Sequence, residues 1–334
     1  MRKNWQLLFG IGISLLALAL IVRGVRWDEL AYVLRTANYI WLLPGAILLT
    51  ISLWGRGMRW RVFLEDKVSP TRMFWITNIG YLISNVLPFR LGELGRIYLV
   101  SRDERVSSMQ ALSTAILERL IDVLMVFGFI AAILPFVPNH SLIVTFGAGA
   151  AAIAAFGVVG LFVAAIWRDR MLAITAAVLN RVRGSLTRPV TERLGSFLDS
   201  IRATGGSRMV SGLGWSLFLW VVSGLASYMV LLLFDAQTPW YIGIFVTCSI
   251  VLGLALPSSP SGVGVFEAAA VAALTLFGIG AETALAYGVI LHLLNFVLIG
   301  IYGLIGLSRE DESLRAVADS TRTFMRGLRK QASV

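Results

Sequence analysis

The sequence predicts an all-α polytopic membrane protein with about six full transmembrane helices and two re-entrant helical hairpins. Hydrophobic residues make up 57% of the 334 residues and charged residues 14%, with a mean hydropathy of +0.79. A soluble domain carries roughly 25% charged residues. The apolar residues also fall into runs close to the length of about 20 residues that crosses a ~30 Å hydrocarbon core. These two observations exclude a soluble globular protein, a disordered chain and a coiled coil.

Six apolar runs are long enough, or nearly so, to cross a bilayer, and we expect a transmembrane helix in each. They are 5–22, 40–54, 111–134, 142–167, 210–234 and 284–307. Arg2 and Lys3 precede the first run, so a cleaved signal peptide is the alternative there. We favour an uncleaved first span, because cleavage would put the Arg-rich loops out of step with an inside N-terminus.

Basic residues are concentrated in some loops and absent from others, and loops enriched in Lys and Arg stay in the cytoplasm. The loops 56–72, 90–105 and 168–209 are rich in Arg, whereas 135–141 and 235–240 contain no Lys or Arg. The Arg-rich loops are therefore expected to be cytoplasmic and the other two external.

The resulting topology is a single transmembrane domain over 1–307, with cytoplasmic termini, a basic cytoplasmic loop over 168–209 and a basic tail over 308–334. The net charge of +10 is then mostly located beside the spans, where it binds an anionic leaflet. This placement argues against a nucleic-acid partner.

Three apolar runs are short, and two of them end at proline-containing breaks. The run 73–87 ends in Asn85-Val-Leu-Pro88, and the run 241–256 ends in Leu256-Pro257-Ser-Ser-Pro260-Ser-Gly262. Runs of this length interrupted by Pro and Gly are typical of re-entrant segments. We predict hairpins over about 73–100 and 241–279. Short ordinary spans, including three full crossings at the second site, remain the alternative.

The two breaks resemble each other, since each has a Leu-Pro pair, a Gly-containing turn and then a carboxylate. The residues expected to shape these turns are Asn85, Pro88, Gly92, Pro257, Pro260, Gly262 and Gly264. If the hairpins enter from opposite faces, this is the pattern of an inverted repeat in a transporter. Broken helices present N–H groups suited to a phosphate, although Pro-Gly loops also simply connect helices.

Charged residues inside or beside apolar runs are the candidate site. Glu118, Arg119 and Asp122 lie within 111–134, where each costs roughly 2.5–3.5 kcal/mol at a span centre. A structural ion-pair network with Arg90 or Arg96 is the alternative to a functional role.

Arg90, Glu93 and Arg96 follow the first break at three-residue steps and therefore share a helix face. A pair of guanidinium groups suits a phosphodiester, because each makes bidentate hydrogen bonds. For Arg90, the competing interpretation is a side chain that extends to the cytoplasmic interface.

Glu267 is the one charged residue between Asp235 and Glu282, and we expect a charge partner or coupling site there, with a helix-terminal acid as the alternative. His292 is expected to be hydrogen-bonded in the packing. Arg59 and its neighbours are expected only to reach the membrane interface. The sequence has no nucleotide-binding loop, nucleophile elbow or His/Cys/carboxylate cluster at metal spacing, so we expect no cofactor, no metal ion and no enzyme activity.

Three motifs occur together in one order: Asn85-Val-Leu-Pro88-Phe-Arg90-Leu-Gly92-Glu93-Leu-Gly95-Arg96, then Glu118-Arg119-Leu-Ile-Asp122, then Leu256-Pro257-Ser-Ser-Pro260-Ser-Gly262-Val-Gly264-Val-Phe-Glu267. Together they resemble the lysylphosphatidylglycerol synthase transmembrane, or flippase-like, family. The resemblance covers about residues 5–307. Where the family has Pro-Gly-Gly-x-Gly, this chain has Pro260-Ser-Gly-Val-Gly264.

The resemblance implies a bacterial or archaeal inner-membrane protein that translocates a lipid or supports envelope lipid metabolism, without the aminoacyl-transferase domain of fused members. We expect a lipid translocase whose partner is a phospholipid or lipid-linked sugar, with Arg90 and Arg96 on the phosphate. Glu93, Glu118, Asp122 and Glu267 would balance charge, and Arg119 would hold the carboxylates. The alternatives are an enzyme or accessory subunit of lipid modification, or an ion-coupled solute transporter; a homo-oligomer stays open.

Overall fold

The computed structural model describes residues 12–19, 23–86, 91–137, 156–157, 159–160, 163–184, 187–235, 238–255, 258–317, 319–320 and 323. Within these ranges the chain forms helices and no strand, which confirms the all-α polytopic membrane fold. The helices are α1 (Trp27–Thr36), α2 (Leu42–Phe63), α3 (Pro70–Val86), α4 (Leu91–Val100), α5 (Ser108–Ile133), α6 (Arg168–Arg183), α7 (Thr187–Ala203), α8 (Ser207–Leu232), α9 (Tyr241–Gly253), α10 (Val265–Thr275) and α11 (Ala281–Arg309).

Within the described residues, four helices are long and apolar enough to cross a membrane, and they coincide with four of the six predicted spans. With their flanking turns they cover Tyr39–Phe63, Ser108–Phe136, Ser207–Leu232 and Ala281–Arg309. The other two predicted spans, 5–22 and 142–167, fall mostly outside the described residues, although residues 12–19 are helical.

The long helices expose apolar side chains along one face and bury small ones along the other. On α2, Leu43, Ile47, Ile51 and Trp54 are exposed at helical spacing, which is the pattern expected of a face in contact with lipid tails. Towards α8, Ser52 pairs with Ser223 at 2.6 Å between their hydroxyl oxygens. Small residues at such contacts allow helices in a membrane to approach closely.

The helix ends gather into two groups, which we call the basic end and the opposite end. At the basic end, Arg72 of α3 binds Glu310 beyond α11 with 3.0 Å between Nε and Oε1. The basic side chains of this end include Arg61, Lys67, Arg72, Arg102, Arg105 and Arg309. At the opposite end, Arg26 binds Glu282 of α11 at 3.2 Å.

Helices α3 and α4 form the first hairpin. They pack so closely that a Cβ atom on Gly92 would lie 1.8 Å from the carbonyl oxygen of Gly80, so only glycine fits at position 92. Gly92 also faces Ser84, one turn further along α3, whereas Gly80 faces Arg96, one turn further along α4. The two arms therefore run side by side in opposite directions. The arm that ends at Val86 and the arm that begins at Leu91 therefore form a helical hairpin.

Helices α9 and α10 form the second hairpin. Gly253 faces Ala269 near the turn, and the rings of Phe245 and Phe277 meet at 5.3 Å between centroids further down. The arms contain 13 and 11 residues; at about 1.5 Å per residue neither reaches across a ~30 Å core.

Helix α11 contacts both hairpins and so shows how they are placed relative to each other. Its Gly303 contacts Leu82 of the first hairpin, whereas its Gly288 contacts Ala270 and Glu267 of the second. The first hairpin has its base at the basic end, and the second joins the start of α11 at the opposite end. The turn Pro260–Gly262 contacts α3, so the two hairpins point toward each other and meet beside the middle of α11.

The remaining helices lie around this core. Helix α1 follows the first apolar run, and none of its residues is buried. The predicted basic loop 168–209 contains α6 and α7, and α7 packs against α5 through Leu198 and Ile201.

Candidate functional site

A buried network of charged side chains joins α2, α4 and α5. Its centre is Arg59, which is 2% exposed. The Nε atom of Arg59 donates to Oε1 of Glu118 at 3.1 Å. Its Nη1 and Nη2 atoms donate to the two carboxylate oxygens of Asp122 at 2.6 and 3.2 Å. This bidentate pairing fixes the guanidinium plane.

Helix α8 completes the environment of the Arg59–Asp122 pair. The Ser216 hydroxyl accepts from Nη1 of Arg59 at 3.2 Å, and the indole N–H of Trp220 donates to Oδ1 of Asp122 at 3.2 Å. These neutral partners satisfy hydrogen-bonding positions that the ion pair leaves open, as burial in an apolar environment requires.

Arg96 is the second buried cation of the network. Its Nη2 atom lies 2.9 Å from Oε2 of Glu118, and its Nε donates to Oε2 of Glu93 at 2.8 Å. The guanidinium also stacks over the ring of Trp60, 4.3 Å from the centroid, which adds a cation–π contact. Arg96 is therefore held on three sides.

Arg119 and Glu93 form the accessible edge of the network. Arg119 pairs with Glu93 and lies 3.7 Å from Asp122, between Nη1 and Oδ2. The side chain of Arg119 is 48% exposed and that of Glu93 is 29% exposed, in contrast to Glu118 at 1%. A ligand that reached this network would meet Arg119 and Glu93 first.

The network is electrically balanced. The three cations Arg59, Arg96 and Arg119 face three carboxylates, those of Glu93, Glu118 and Asp122. Removing one partner from a buried pair costs about 3–5 kcal/mol, because the remaining charge is left without compensation.

The structure brings five predicted site residues together, namely Glu93, Arg96, Glu118, Arg119 and Asp122. Pro88, Arg90 and Pro257 lie outside the described residues. Of the other residues predicted to shape the turns, Asn85 ends α3, Gly92 makes the close contact described above, and Pro260, Gly262 and Gly264 form the tip of the second hairpin.

Arg59 is the residue that sequence reasoning missed. We expected it only to reach the membrane interface, but it lies at the centre of the buried network. Gly45, Ser52 and Arg59 follow one another at seven-residue steps, which places them on one face of α2. That face packs against α8, so this spacing was a signal that Arg59 points inward.

Glu267 lies apart from this network, at the tip of the second hairpin. Its Oε1 atom lies 2.7 Å from Nδ1 of His292, at hydrogen-bonding distance. Its Oε2 atom accepts from the Gly264 N–H, also at 2.7 Å. The second contact is a helix-capping interaction at the start of α10. Glu267 is therefore both a helix-terminal acid and a charge partner, and within the described part of the chain its charge partner is His292.

No group of three His, Cys, Asp or Glu residues that could hold a metal ion occurs in the residues that the structure describes. Outside the spans, hydrogen bonds from Arg105 hold the pKa of Asp103 at about 2, below its usual range. Asp103 also faces Arg72 at 3.5 Å, so it ties the end of the first hairpin to its beginning.

The opposed hairpins and the buried charge network define a multi-pass membrane protein with a polar interior beside helical breaks. Residues 7–303 match the family described as lysylphosphatidylglycerol synthase TM region. The chain therefore belongs to this family, as the three motifs indicated.

Two curated relatives are similar over most of the chain. A UPF0104 membrane protein of Methanothermobacter thermautotrophicus is 23% identical over 324 residues, which are 91% of this chain and 94% of that protein. Glycosyltransferase AglD of Haloferax volcanii is 25% identical over 293 residues, 78% of this chain. The chain spans about half of AglD, 47% of its length.

Proposed function

We propose that this protein moves the head group of a phospholipid or lipid-linked saccharide between the leaflets of the cytoplasmic membrane. Membership of a family described by a lipid synthase's membrane region supports a lipid-related role. The observation that carries the translocation proposal is the pair of opposed hairpins that meet beside the middle of α11. Broken helices at mid-membrane, with a polar interior, are where transporters bind their substrates.

The accessible edge of the charge network supplies the head-group contact in this proposal. Arg119 exchanges its Glu93 partner for the lipid phosphate, and Glu93 faces a cationic part of the head group where one is present. Arg96 is engaged by Glu93 and Glu118, so it positions the carboxylates and does not itself need to bind phosphate. Arg90, which lies outside the described residues, remains a predicted phosphate ligand.

The test is a translocation assay in proteoliposomes with a fluorescent phospholipid and a membrane-impermeant quencher. Wild-type protein should make inner-leaflet label accessible, and Arg119→Gln should slow this at least about 10-fold if one charge-assisted contact of 1.5–3 kcal/mol is lost. Arg105→Gln, an exposed arginine at the basic end, is the matched control and should behave as wild type. No movement above empty vesicles with anionic, zwitterionic and saccharide-linked lipids would contradict the proposal.

A second candidate function is a role in glycolipid modification, and the similarity to a protein named glycosyltransferase AglD favours it. In that case the chain would present the lipid acceptor to a sugar-transferring partner. Transfer of radiolabelled sugar to lipid in membranes that contain the protein, absent without it, would support this function over translocation alone.

A further inference from the structure

Three polar side chains form a hydrogen-bonded chain at the tip of the second hairpin. Ser261 lies in the turn before α10, His292 is on α11, and Glu267 is in the first turn of α10. The Ser261 Oγ atom lies 3.2 Å from Nε2 of His292, and Nδ1 of His292 lies 2.7 Å from Oε1 of Glu267. Each ring nitrogen of the histidine therefore has one partner.

The charge of the Glu267 carboxylate determines where the protons lie in this series of hydrogen bonds. An ionised Glu267 can only accept hydrogen bonds, so Nδ1 of His292 carries the proton and donates it. The lone pair on Nε2 then faces the Ser261 hydroxyl, which donates. Ser261 thus stands as nucleophile, His292 as base and Glu267 as the acid that orients the base, which is the arrangement that activates a serine. The same arrangement occurs on unrelated folds, where it is identified by its geometry and not by sequence position.

The base is held rigidly in this orientation. The ring of Phe266 stacks on the imidazole at 4.4 Å between centroids and an interplanar angle of 16°. On the far side, the second carboxylate oxygen of Glu267 is fixed by the Gly264 N–H at 2.7 Å. The side chains of His292 and Glu267 are 12% and 8% exposed, so bulk water has little access to compete for these contacts.

Ser261 adopts a backbone conformation that its side chain disfavours. Its φ and ψ angles are 64° and −12°, in the left-handed region where a residue with a Cβ atom is strained by about 1–3 kcal/mol. Glycine would make this turn without that cost. The turn itself therefore does not need a hydroxyl at position 261. The serine nevertheless occupies this strained position, where its hydroxyl lies beside Nε2 of His292.

We propose that Ser261, His292 and Glu267 form a catalytic triad for acyl transfer from a carboxylic ester to water. The substrate class is an ester with an apolar acyl chain, because the face of α11 beside His292 exposes Leu293 and Phe296. This activity goes beyond lipid translocation and does not depend on it.

The reaction balances with water as the one co-reactant. The Oγ atom of Ser261 attacks the ester carbonyl carbon and passes its proton to Nε2 of His292. The ester C–O bond breaks, and the imidazolium returns that proton to the departing alkoxide. Water then attacks the acyl-serine with His292 as base, which releases the carboxylic acid and restores the serine hydroxyl.

The test uses the full chain in detergent micelles with a fluorophosphonate probe, followed by peptide mass spectrometry. We expect one adduct, on Ser261. His292→Gln should slow labelling at least about 100-fold, the usual contribution of a positioned general base. Ser258→Ala, which removes another hydroxyl of the same turn, should label as wild type.

Ser261→Gly separates catalysis from structure. This substitution relieves the left-handed strain, so its melting temperature should equal or exceed that of the wild type while labelling and hydrolysis of a p-nitrophenyl acyl ester disappear. Absence of a Ser261 adduct under conditions that label a known serine esterase would overturn the proposal. So would unchanged labelling rates in His292→Gln.

Discussion

The second arm of the first hairpin, α4, packs through a network of six charged side chains. The second arm of the second hairpin, α10, packs through apolar residues and a single carboxylate. In the first, Arg59, Arg96 and Arg119 neutralise three acids on two helices. In the second, Glu267 is satisfied by one histidine and one backbone N–H. The two arms of similar length therefore depend on electrostatics to very different degrees.

This difference has a physical consequence for what each hairpin tolerates. Ion pairs in an apolar environment are costly to break, because the surviving partner keeps its charge without solvation. A hydrogen bond between histidine and a carboxylate costs less to change, because either group can become neutral. We therefore expect substitutions of the buried members of the first hairpin network, such as Arg59, to unfold the protein. Substitutions at the exposed Arg119 and in the second hairpin should instead alter activity.

The largest expected effect is that of Arg59→Met. It leaves Glu118 and Asp122 without their shared cation, so stability should fall by about 3–5 kcal/mol, measured as loss of the monodisperse peak and a lower melting temperature in detergent. Arg56→Met is the matched control, because Arg56 is on the same helix and its side chain lies over the Tyr81 ring, 5.8 Å from the centroid.

Neutralising the stranded acids should rescue Arg59→Met in part. The triple variant with Glu118→Gln and Asp122→Asn is expected to melt above Arg59→Met alone. If Arg59→Met and Arg56→Met behaved alike, the network would not be the structural core of the first hairpin.

Gly92→Ala has the second largest expected effect on stability, and it tests the close packing of the first hairpin instead of its charges. The added Cβ atom would lie 1.8 Å from the Gly80 carbonyl oxygen, so α3 and α4 must separate, at a cost of about 1–3 kcal/mol. Gly300→Ala is the control, since a Cβ atom on Gly300 has no neighbour within 4 Å. It should be neutral or slightly stabilising, and equal melting temperatures for the two variants would show that the arms are not in close contact.

Glu267→Gln measures how much the stability of the second hairpin depends on its carboxylate. The amide can still accept from the Gly264 N–H and pair with His292, so the loss should be only about 1 kcal/mol. The exposed Glu104→Gln provides the baseline. A loss as large as that of Arg59→Met would erase the contrast between the hairpins.

The smallest effect concerns the base of the first hairpin. Because Arg105 keeps the pKa of Asp103 at about 2, Asp103 is ionised and stabilises the fold above its unfolded-state pKa, and this contribution is lost as the pH falls through about 2. Asp103→Asn should therefore lower the melting temperature slightly at pH 7 and cease to matter near pH 2. A difference that grew on acidification would have the wrong sign for this ion pair.

The sequence was sufficient for the fold class and for most members of the charge network. Glu118, Arg119 and Asp122 could be found because a charge within an apolar run is costly and needs a partner. The role of Arg59 could not be found as easily, since an arginine near a helix end has an inexpensive alternative at the interface. The placement of Arg59 at seven-residue steps after Gly45 and Ser52 indicates that it points inward only once this face of α2 is known to pack on α8.

The second hairpin illustrates the same limit. Glu267 and His292 are 25 residues apart in the chain, and no periodicity relates a residue on α10 to one on α11. Their contact depends on how the two helices cross. Sequence could indicate that each polar residue needs a partner, but not that they are each other's partner or that Ser261 joins them.

The central claim is that the two hairpins approach from opposite faces of the membrane, and site-directed labelling tests it most directly. In a Cys248→Ala background, which removes the free buried cysteine, single cysteines replace Glu104 at the basic end and Gly280 at the opposite end. An impermeant maleimide applied to oriented vesicles should label Glu104→Cys from the cytoplasmic side only and Gly280→Cys from the other side only. Labelling of both positions from one side would contradict the opposed arrangement.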